Sequence, residues 1–187
     1  AYAEPEQATN AVIDTTMGTI VIELLPARAP NHVGYFMKLA REGAFAGTTF
    51  HRVVRYGIIQ GGDPLSKDPA KAAQYGTGGL NMLRPEINAE PMTAGAVGAV
   101  LVPGRPNSAG AQFFICASDQ VALQGQFTVF GRVVEGIDVV QQISAVNADA
   151  QGGPAERIVI KAVTIRDTPP VVKDPVIEAT AAELAAY

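Results

Sequence analysis

Short runs in which apolar and polar residues alternate cover most of the chain, and Gly, Pro, Asn or Asp separates one run from the next. Alternation with a period of two is typical of half-buried β-strands. The runs 11–15 and 19–25 flank Met17-Gly18, a spacing that predicts an antiparallel hairpin. The pattern predicts further strands at 48–54, 58–61, 96–102, 112–117, 128–133 and 157–167.

Two segments have helical periodicity instead. The first begins at a predicted N-cap, Asn31, and ends at Gly43, and the second follows Gly136. Their apolar stripes are Val33, Phe36, Met37 and Ala40 in the first and Ile137, Val140, Ile143 and Val146 in the second. The Gly- and Pro-rich stretch 63–93 is predicted to be a long surface loop. Many strands and two helices predict a mainly β fold, a closed antiparallel β-barrel capped by the two helices.

A chain of 187 residues is long enough to form one domain around a single core. Residues 1–10 are polar and are predicted to form a loose N-terminal arm. Residues 11–167 carry all the predicted strands and helices and form the expected domain. Residues 168–187 form a Pro-containing tail, in which 177–187 could make one short helix.

Charge and composition exclude several functions. The chain has 14 Lys and Arg against 18 Asp and Glu, and its net charge of −4 argues against nucleic acid as a partner. No apolar run approaches the ~20 residues that span a bilayer, so no membrane span is expected. The single cysteine, Cys116, follows an apolar run and is expected to be a small buried hydrophobe.

The start of the chain suggests a location. Ala1-Tyr2-Ala3 has the small-x-small pattern found near signal-peptide cleavage sites. Export is therefore expected, to the periplasm of a bacterium, with the cytoplasm as the alternative.

Arg52 is unusual among the predicted strand residues, because its permanently charged guanidinium stands among apolar neighbours in Phe-His-Arg-Val at 50–53. Gln-Gly-Gly-Asp follows at 60–63 and Ala-Gln-Phe-Phe-Ile at 111–115. Together with Gly-Thr-Gly-Gly at 76–79 and the segment 127–136, these blocks resemble the cyclophilin family of peptidyl-prolyl cis-trans isomerases. The resemblance extends from about residue 12 to about residue 167. Within the family, the chain resembles the bacterial members.

The resemblance implies a cyclophilin-like barrel that accelerates rotation about X-Pro bonds of other polypeptides and so assists protein folding. It implies Arg52 and Gln60 as catalytic residues, a monomer, proline-containing polypeptides as partners and no cofactor. Phe113 and Phe114 are adjacent on one strand, so their rings are expected on opposite faces, in the core and in the site. The residues implied in substrate binding are Phe50, Ile58, Val102, Gln112, Phe114, Leu123 and Phe127.

Some positions depart from eukaryotic cyclophilins. Arg-Tyr-Gly-Ile at 55–58 stands where those proteins usually read Pro-Gly-Phe-Met, so Gly57 replaces a pocket phenylalanine. Tyr56 is the one neighbour that could replace that wall. Val-Pro at 102–103 replaces Ala-Asn, and the proline has no N–H to donate. Ala122 replaces the tryptophan associated with cyclosporin binding, so weak cyclosporin binding is expected.

Other functions have less support in the sequence. His32 and His51 are the only histidines and show no metal-ligand spacing with cysteine, so no metal site is expected. Ser108, His51 and Asp63 could form a hydrolytic triad, but no Gly-x-Ser-x-Gly segment surrounds the serine. The alternative that remains is a peptide-binding or chaperone-like module on the same fold, with weak or lost isomerase activity. Gly57 and Pro103 favour this alternative. Arg52, Gln60 and Phe114 oppose it.

Overall fold

The computed structural model describes residues 9–167. The Ala1-Tyr2-Ala3 pattern, most of the predicted arm and the predicted short helix at 177–187 lie outside the described residues. The first strand begins at Thr9, so Thr9 and Asn10 belong to the sheet and not to the predicted arm.

Eight strands and two α-helices form the described part of the chain. The strands are β1 (Thr9–Thr15), β2 (Gly18–Leu24), β3 (Phe50–Val54), β4 (Ile58–Gly61), β5 (Ala96–Ala99), β6 (Phe113–Cys116), β7 (Val129–Glu135) and β8 (Ile160–Asp167). The helices are α1 (Pro30–Arg41) and α2 (Ile137–Ser144). All the predicted strands are present, although β5 ends before the predicted residues 100–102. No helix among residues 9–167 has the length and apolar character needed to cross a membrane.

The strands form one antiparallel sheet in the order β3-β4-β6-β5-β7-β2-β1-β8. The sheet curls, but β3 and β8 do not pair with each other as strands, so the predicted closed barrel is wrong in this respect. The two edges meet only at their starts, where Thr49 and Val159 form an isolated bridge, the Phe50 N–H donates to the Ile158 carbonyl at 3.0 Å and the Ile160 N–H donates to the Thr48 carbonyl at 2.8 Å. The physical reason is that the outer edge of β3 has another partner, because the Val53 N–H donates to the Gly152 carbonyl at 2.8 Å.

Aromatic rings from the helix and the sheet form the centre of the core. Phe36 of α1 lies 4.9 Å from Phe45 and 5.7 Å from Phe113, measured between ring centroids. Phe50 packs edge-on against Phe113 at 5.9 Å. Burying a side chain of this size contributes roughly 1.5–3 kcal/mol to stability, so this cluster is a main reason that α1 packs against the curled sheet.

Helix α1 is capped in a different way from the prediction. Its N-cap residue is Ala29 and not Asn31, and no side chain at the helix start forms a cap hydrogen bond. Instead, Glu86 accepts hydrogen bonds from the backbone N–H groups of Asn31 at 3.2 Å and His32 at 2.8 Å. The same carboxylate contacts His32 Nδ1 at 2.7 Å. A carboxylate at this position satisfies free N–H groups and complements the helix dipole.

Helix α2 begins after Gly136, whose φ of 88° lies in the left-handed region. Val140 and Ile143 of the predicted stripe are fully buried, whereas Ile137 is 37% exposed. The helix ends at Ser144, so the fourth predicted member, Val146, lies in the following loop. This loop runs back along β3 and forms one side of a groove described below.

The predicted long loop after Asp63 contains no strand, but two short 3-10 helices interrupt it at Pro64–Lys67 and Pro69–Gln74. Each of them begins with a proline after an aspartate whose side chain accepts a backbone hydrogen bond, Asp63 in the first and Asp68 in the second. The loop therefore has local order that its scattered apolar residues did not indicate.

Candidate active site

A cavity of about 300 Å³ lies on the face of β3, β4 and β6 that is turned away from the aromatic core. The strand register explains its position, because Arg52 pairs with Gln60 and Gln60 pairs with Phe114 in neighbouring strands. Side chains in one row across a sheet point to the same face. The cavity lining consists of Arg52, Val54, Gly57, Ile58, Gln60, Val100, Leu101, Phe114, Gln120, Leu123 and Phe127.

The two adjacent phenylalanines of β6 lie on opposite faces, as the alternation predicts. Phe113 packs against the rings of the core, and Phe114 packs edge-on against Phe127 at 5.2 Å in the cavity wall. Gly98 of β5 leaves room for the Phe114 ring, since a Cβ at this position would lie 2.7 Å from its Cε1 atom. The apolar wall therefore depends on a glycine in the neighbouring strand.

A row of hydrogen bonds leads from Arg52 into the protein. Arg52 Nη1 donates to Gln60 Oε1 at 3.2 Å, and Gln60 Nε2 donates to Gln112 Oε1 at 3.1 Å. Gln112 Nε2 then donates to the Gly78 carbonyl at 2.8 Å. A carbonyl can only accept, so it fixes the orientation of the Gln112 amide, which in turn fixes that of Gln60. The oxygen of Gln60 is thereby turned towards the guanidinium.

Asp63 holds the loop that ends this row. Its side chain is fully buried, and its Oδ2 atom accepts hydrogen bonds from the N–H groups of Gly76 at 2.6 Å and Gly78 at 3.3 Å. A Cβ on Gly78 would collide with Asp63 Oδ1. Because Gly78 has no side chain, its backbone can lie close to Asp63, and this contact positions the Gly78 carbonyl. This role of Asp63 was not predicted from the sequence, although the Gly-rich segment 76–79 indicates a backbone that another group can approach closely.

The remaining cavity wall is apolar. It includes Ile58, Leu123 and Phe127, whose contact with substrate stays a prediction. Val54, Val100, Leu101 and Gln120 also line the cavity and were not identified from the sequence. Behind the wall lies Cys116, which is fully buried, and burial raises the pKa of its thiol to about 11. A thiol with this pKa stays protonated at neutral pH, in agreement with the expectation of a buried hydrophobe.

Two residues predicted to bind substrate do not line the cavity. Phe50 is fully buried in the aromatic core, because strand alternation turns it away from the face that carries Arg52. Val102 lies in a tight turn, where its carbonyl accepts from the Arg105 N–H at 2.9 Å and its N–H donates to Ser108 Oγ at 2.7 Å. The fully buried position of Phe50 corrects the sequence-based prediction, whereas the contact of Val102 with substrate stays a prediction.

Gln112 is a third residue that was predicted to bind substrate and does not line the cavity. It is fully buried and lines no part of the cavity, so it reaches the site only through Gln60. Gln112 was predicted to bind substrate, but in the structure it lies behind the residues that line the cavity. Its hydrogen bonds to Gln60 and to the Gly78 carbonyl indicate that it positions the residues in front of it.

Tyr56 does not replace the pocket side chain that is missing at Gly57. Tyr56 is 58% exposed and is not part of the cavity lining. Its φ of 55° places it in the left-handed region, which is uncommon for a residue with a bulky side chain. Ala122 lies in the short 3-10 helix Val121–Leu123 and contributes nothing to the cavity lining either.

The residues of the alternative hydrolytic triad form no hydrogen bonds with one another, and two of them, Ser108 and Asp63, bond to backbone groups elsewhere. Ser108 Oγ donates to the Arg105 carbonyl, and the carboxylate of Asp63 accepts only backbone N–H groups. The ring nitrogens of His51 have no hydrogen-bond partner among residues 9–167, and burial lowers its pKa. Within the same residues, no three His, Cys, Asp or Glu side chains come together as metal ligands.

Comparison with known proteins identifies the family. Residues 11–165 match the family model of the cyclophilin type peptidyl-prolyl cis-trans isomerases. The chain belongs to this family. A probable peptidyl-prolyl cis-trans isomerase of Brucella suis is 39% identical over 173 residues, which cover 89% of this chain and 86% of that protein. The human peptidyl-prolyl cis-trans isomerase-like 1 is 36% identical over 157 residues, covering 83% of this chain and 92% of that protein.

Solved structures show the same fold. A cyclophilin from Cryptosporidium parvum, crystallised in the presence of the dipeptide Ala-Pro, superposes with a TM-score of 0.76 at 27% identity and covers 85% of this chain and 99% of that one. The described chain is thus a cyclophilin with isomerase activity towards X-Pro peptide bonds, and its curled antiparallel sheet is the family's fold.

Proposed function

We propose that this cyclophilin isomerises X-Pro bonds in the cavity beside Arg52, with the guanidinium as the catalytic group. Rotation about the amide bond has a barrier of ~18–20 kcal/mol because resonance is lost in the twisted state. The prolyl nitrogen of that state carries a localised lone pair, to which a guanidinium N–H can donate. An interaction that exists only in the twisted state lowers the barrier.

The observation that carries this proposal is the directional row Arg52, Gln60, Gln112 and the Gly78 carbonyl. It holds the exposed arginine at the mouth of the cavity before substrate arrives. A donor that is already oriented needs no reorganisation when the amide twists. The other N–H groups of the guanidinium are left to the substrate, since Gln60 occupies only Nη1.

The apolar wall supplies the second part of the site. Phe114 and Phe127 form an edge-to-face pair that the flat proline ring can contact, and Ile58 and Leu123 complete this side of the cavity. Contact with the wall keeps the ring in place while the preceding carbonyl rotates. No covalent step and no cofactor are needed, because no bond is made or broken. The natural substrates on this proposal are exposed proline segments of other polypeptides, including folding chains.

The experiment that tests the catalytic assignment compares Arg52→Ala and Arg52→Lys with the wild type on a short proline peptide. We expect kcat/KM to fall by at least about tenfold in Arg52→Ala, which corresponds to ~1.4 kcal/mol of barrier. Arg52→Lys should recover part of this loss, because the ammonium donates but cannot reproduce the planar contact with Gln60. Far-ultraviolet circular dichroism and urea unfolding check that both variants fold. Equal activity of the wild type and Arg52→Ala would contradict the assignment.

A peptide-binding module with little turnover is the second candidate, and Gly57 is the observation that favours it. Gly57 lines the cavity without a side chain, so a proline ring gains less apolar contact there than it would from a phenylalanine. Binding of a proline peptide, followed by NMR titration, without any acceleration of its cis-to-trans exchange would support this candidate over the isomerase.

A further inference from the structure

A second groove, of about 440 Å³, lies on the other side of Arg52 from the proline cavity. It runs between β3 and the loop at 144–152 that follows α2. Arg52 and Val54 line both depressions, so the two meet across β3. A polypeptide whose proline occupies the cavity can therefore extend over this second groove on one side of the proline.

The second groove carries positive charge that the described residues do not neutralise. Arg52 and Arg55 both line it, and within residues 9–167 neither forms a salt bridge. The one carboxylate in its lining, Asp149, is turned into its own loop, where Oδ1 accepts from the N–H groups of Gln151 and Gly153 at 2.9 Å each. The two guanidinium groups are therefore available to an anion from outside.

Arg55 is held at the groove by two contacts. Its Nη1 donates to the Ala145 carbonyl at 3.4 Å, and its guanidinium carbon lies 5.2 Å from the centroid of the Tyr56 ring. Both partners leave other guanidinium N–H groups free, since only Nη1 donates to the carbonyl and the ring contacts the face of the cation. An arginine restrained in this way loses less side-chain entropy when it binds a carboxylate.

The backbone of Tyr56 is strained where its ring contacts Arg55. A φ of 55° lies in the left-handed region, which is unfavourable for a residue with a Cβ. Two serines maintain it, because Ser144 Oγ accepts from the Tyr56 N–H at 3.2 Å and Ser118 Oγ donates to the Tyr56 carbonyl. Strain that surrounding residues maintain at the edge of a site is typical of functional positions.

We propose that this second groove binds a carboxylate of the substrate polypeptide, supplied by an Asp or Glu next to the proline on the side that extends across β3. Arg55 is then a specificity-determining residue, and Tyr56 is the residue that positions it. The inference rests on the proposed function, because it requires the proline to lie beside Arg52. A carboxylate can take two parallel N–H donors from Arg55 in a groove that is partly shielded from solvent.

The test uses four short peptides, with Glu or Gln either immediately after or immediately before the proline. We expect one of the two Glu peptides to show a kcat/KM about threefold above its Gln counterpart, a factor in the range of exposed ion pairs. The ratio should approach one in about 0.5 M NaCl, where screening is strong. The other Glu peptide should show no such preference, since its carboxylate lies at the far end of the cavity.

Three variants separate the local effect from net charge. Arg55→Gln should lower the Glu-to-Gln ratio to about one, and Arg55→Glu should invert it and favour a Lys peptide. Arg166→Gln is the matched control, since it makes the same charge change at an exposed residue of β8 that lines neither depression. It should retain the ratio of the wild type. Circular dichroism confirms the fold of each variant.

The outcomes distinguish this inference from the proposed function. A wild type that isomerises the Gln peptides and shows no preference for either Glu peptide would overturn the inference and leave Arg52 as the catalyst. An equal loss of preference in Arg55→Gln and Arg166→Gln would also overturn it. If no peptide is isomerised, the proposed function fails. The dissociation constants of the same four peptides, measured by NMR titration, then test whether the second groove binds a carboxylate. Equal dissociation constants for Glu and Gln peptides would overturn it in that case.

Discussion

Gln112→Leu tests whether the buried amide row orients Arg52. The substitution removes both hydrogen bonds of a fully buried side chain and leaves Gln60 Nε2 and the Gly78 carbonyl without partners. Each orphaned group costs about 1–3 kcal/mol, partly offset by the apolar contacts of leucine, so we expect the free energy of unfolding to fall by about 2–4 kcal/mol. Urea unfolding measures this loss.

The same substitution should lower activity, although Gln112 is not part of the cavity lining. Without Gln112, the Gln60 amide is free to turn its NH₂ group towards Arg52, and the bond to the guanidinium is lost. Hydrogen bonds to charged groups contribute about 1.5–3 kcal/mol, so kcat/KM should fall roughly tenfold or more per folded molecule. The loss should appear mainly in kcat, because the apolar wall that binds the proline is unchanged.

A control of similar instability separates orientation from general loosening of the fold. Ile13→Ala empties a fully buried position in β1, far from the cavity in the strand order, and should cost about 2–5 kcal/mol. Its activity per folded molecule should equal that of the wild type. If Gln112→Leu loses stability and keeps full turnover, or if Ile13→Ala loses as much turnover, the row does not act as an orienting device.

Three further predictions concern the cavity wall and the cap of α1. Gly57→Phe should raise kcat/KM about fivefold, because ~50 Å² of added apolar contact contributes ~1 kcal/mol. Its Cβ would lie 3.0 Å from Cγ1 and 3.3 Å from the backbone oxygen of Val54, so the end of β3 must shift slightly to admit it, and unchanged turnover in a folded variant would contradict the prediction. Cyclosporin should bind weakly, and Ala122→Trp should increase its affinity in titration calorimetry by restoring apolar area and an indole donor; tight binding by the wild type would show that the groove is already complete. Burial raises the pKa of Glu86, but hydrogen bonds from His32 and Asn31 outweigh it and leave this pKa below its usual value. A folded-state pKa below the unfolded one gives stability that is present above the unfolded pKa and is lost as pH falls through the folded pKa. Glu86→Gln should therefore lower the unfolding free energy at pH 7 and have a smaller effect at pH 3. An equal loss of unfolding free energy at the two pH values would show that ionisation of Glu86 does not contribute to stability.

Local patterns were sufficient for much of the fold and for part of the site. The positions of the strands and of both helices follow from periodicity, which each segment carries by itself. The opposite placement of Phe113 and Phe114 has the same origin, since adjacent strand residues point to opposite faces in any sheet. Arg52, Gln60 and Phe114 could be identified because their blocks resemble those of the cyclophilins.

The features that the sequence could not determine arise from contacts between distant segments. The sheet remains open along β3 because Val53 pairs with Gly152, a partner 99 residues away that no local pattern indicates. The cap of α1 comes from Glu86, 54 residues beyond His32, and not from the adjacent Asn31. Only the packed chain decides which carbonyl or carboxylate reaches a given N–H, because that choice depends on where the intervening loops return.

Tertiary structure also decided which residues line the cavity and which lie behind that lining. Phe50 and Gln112 belong to the family's characteristic blocks, yet both are fully buried, one in the core and one behind Gln60. The sequence alone identified some of the residues that line the cavity, among them Arg52, Gln60 and Phe114. Burial, register and loop approach determined which of them substrate can touch, because exposure is a property of the whole packed surface and not of any segment.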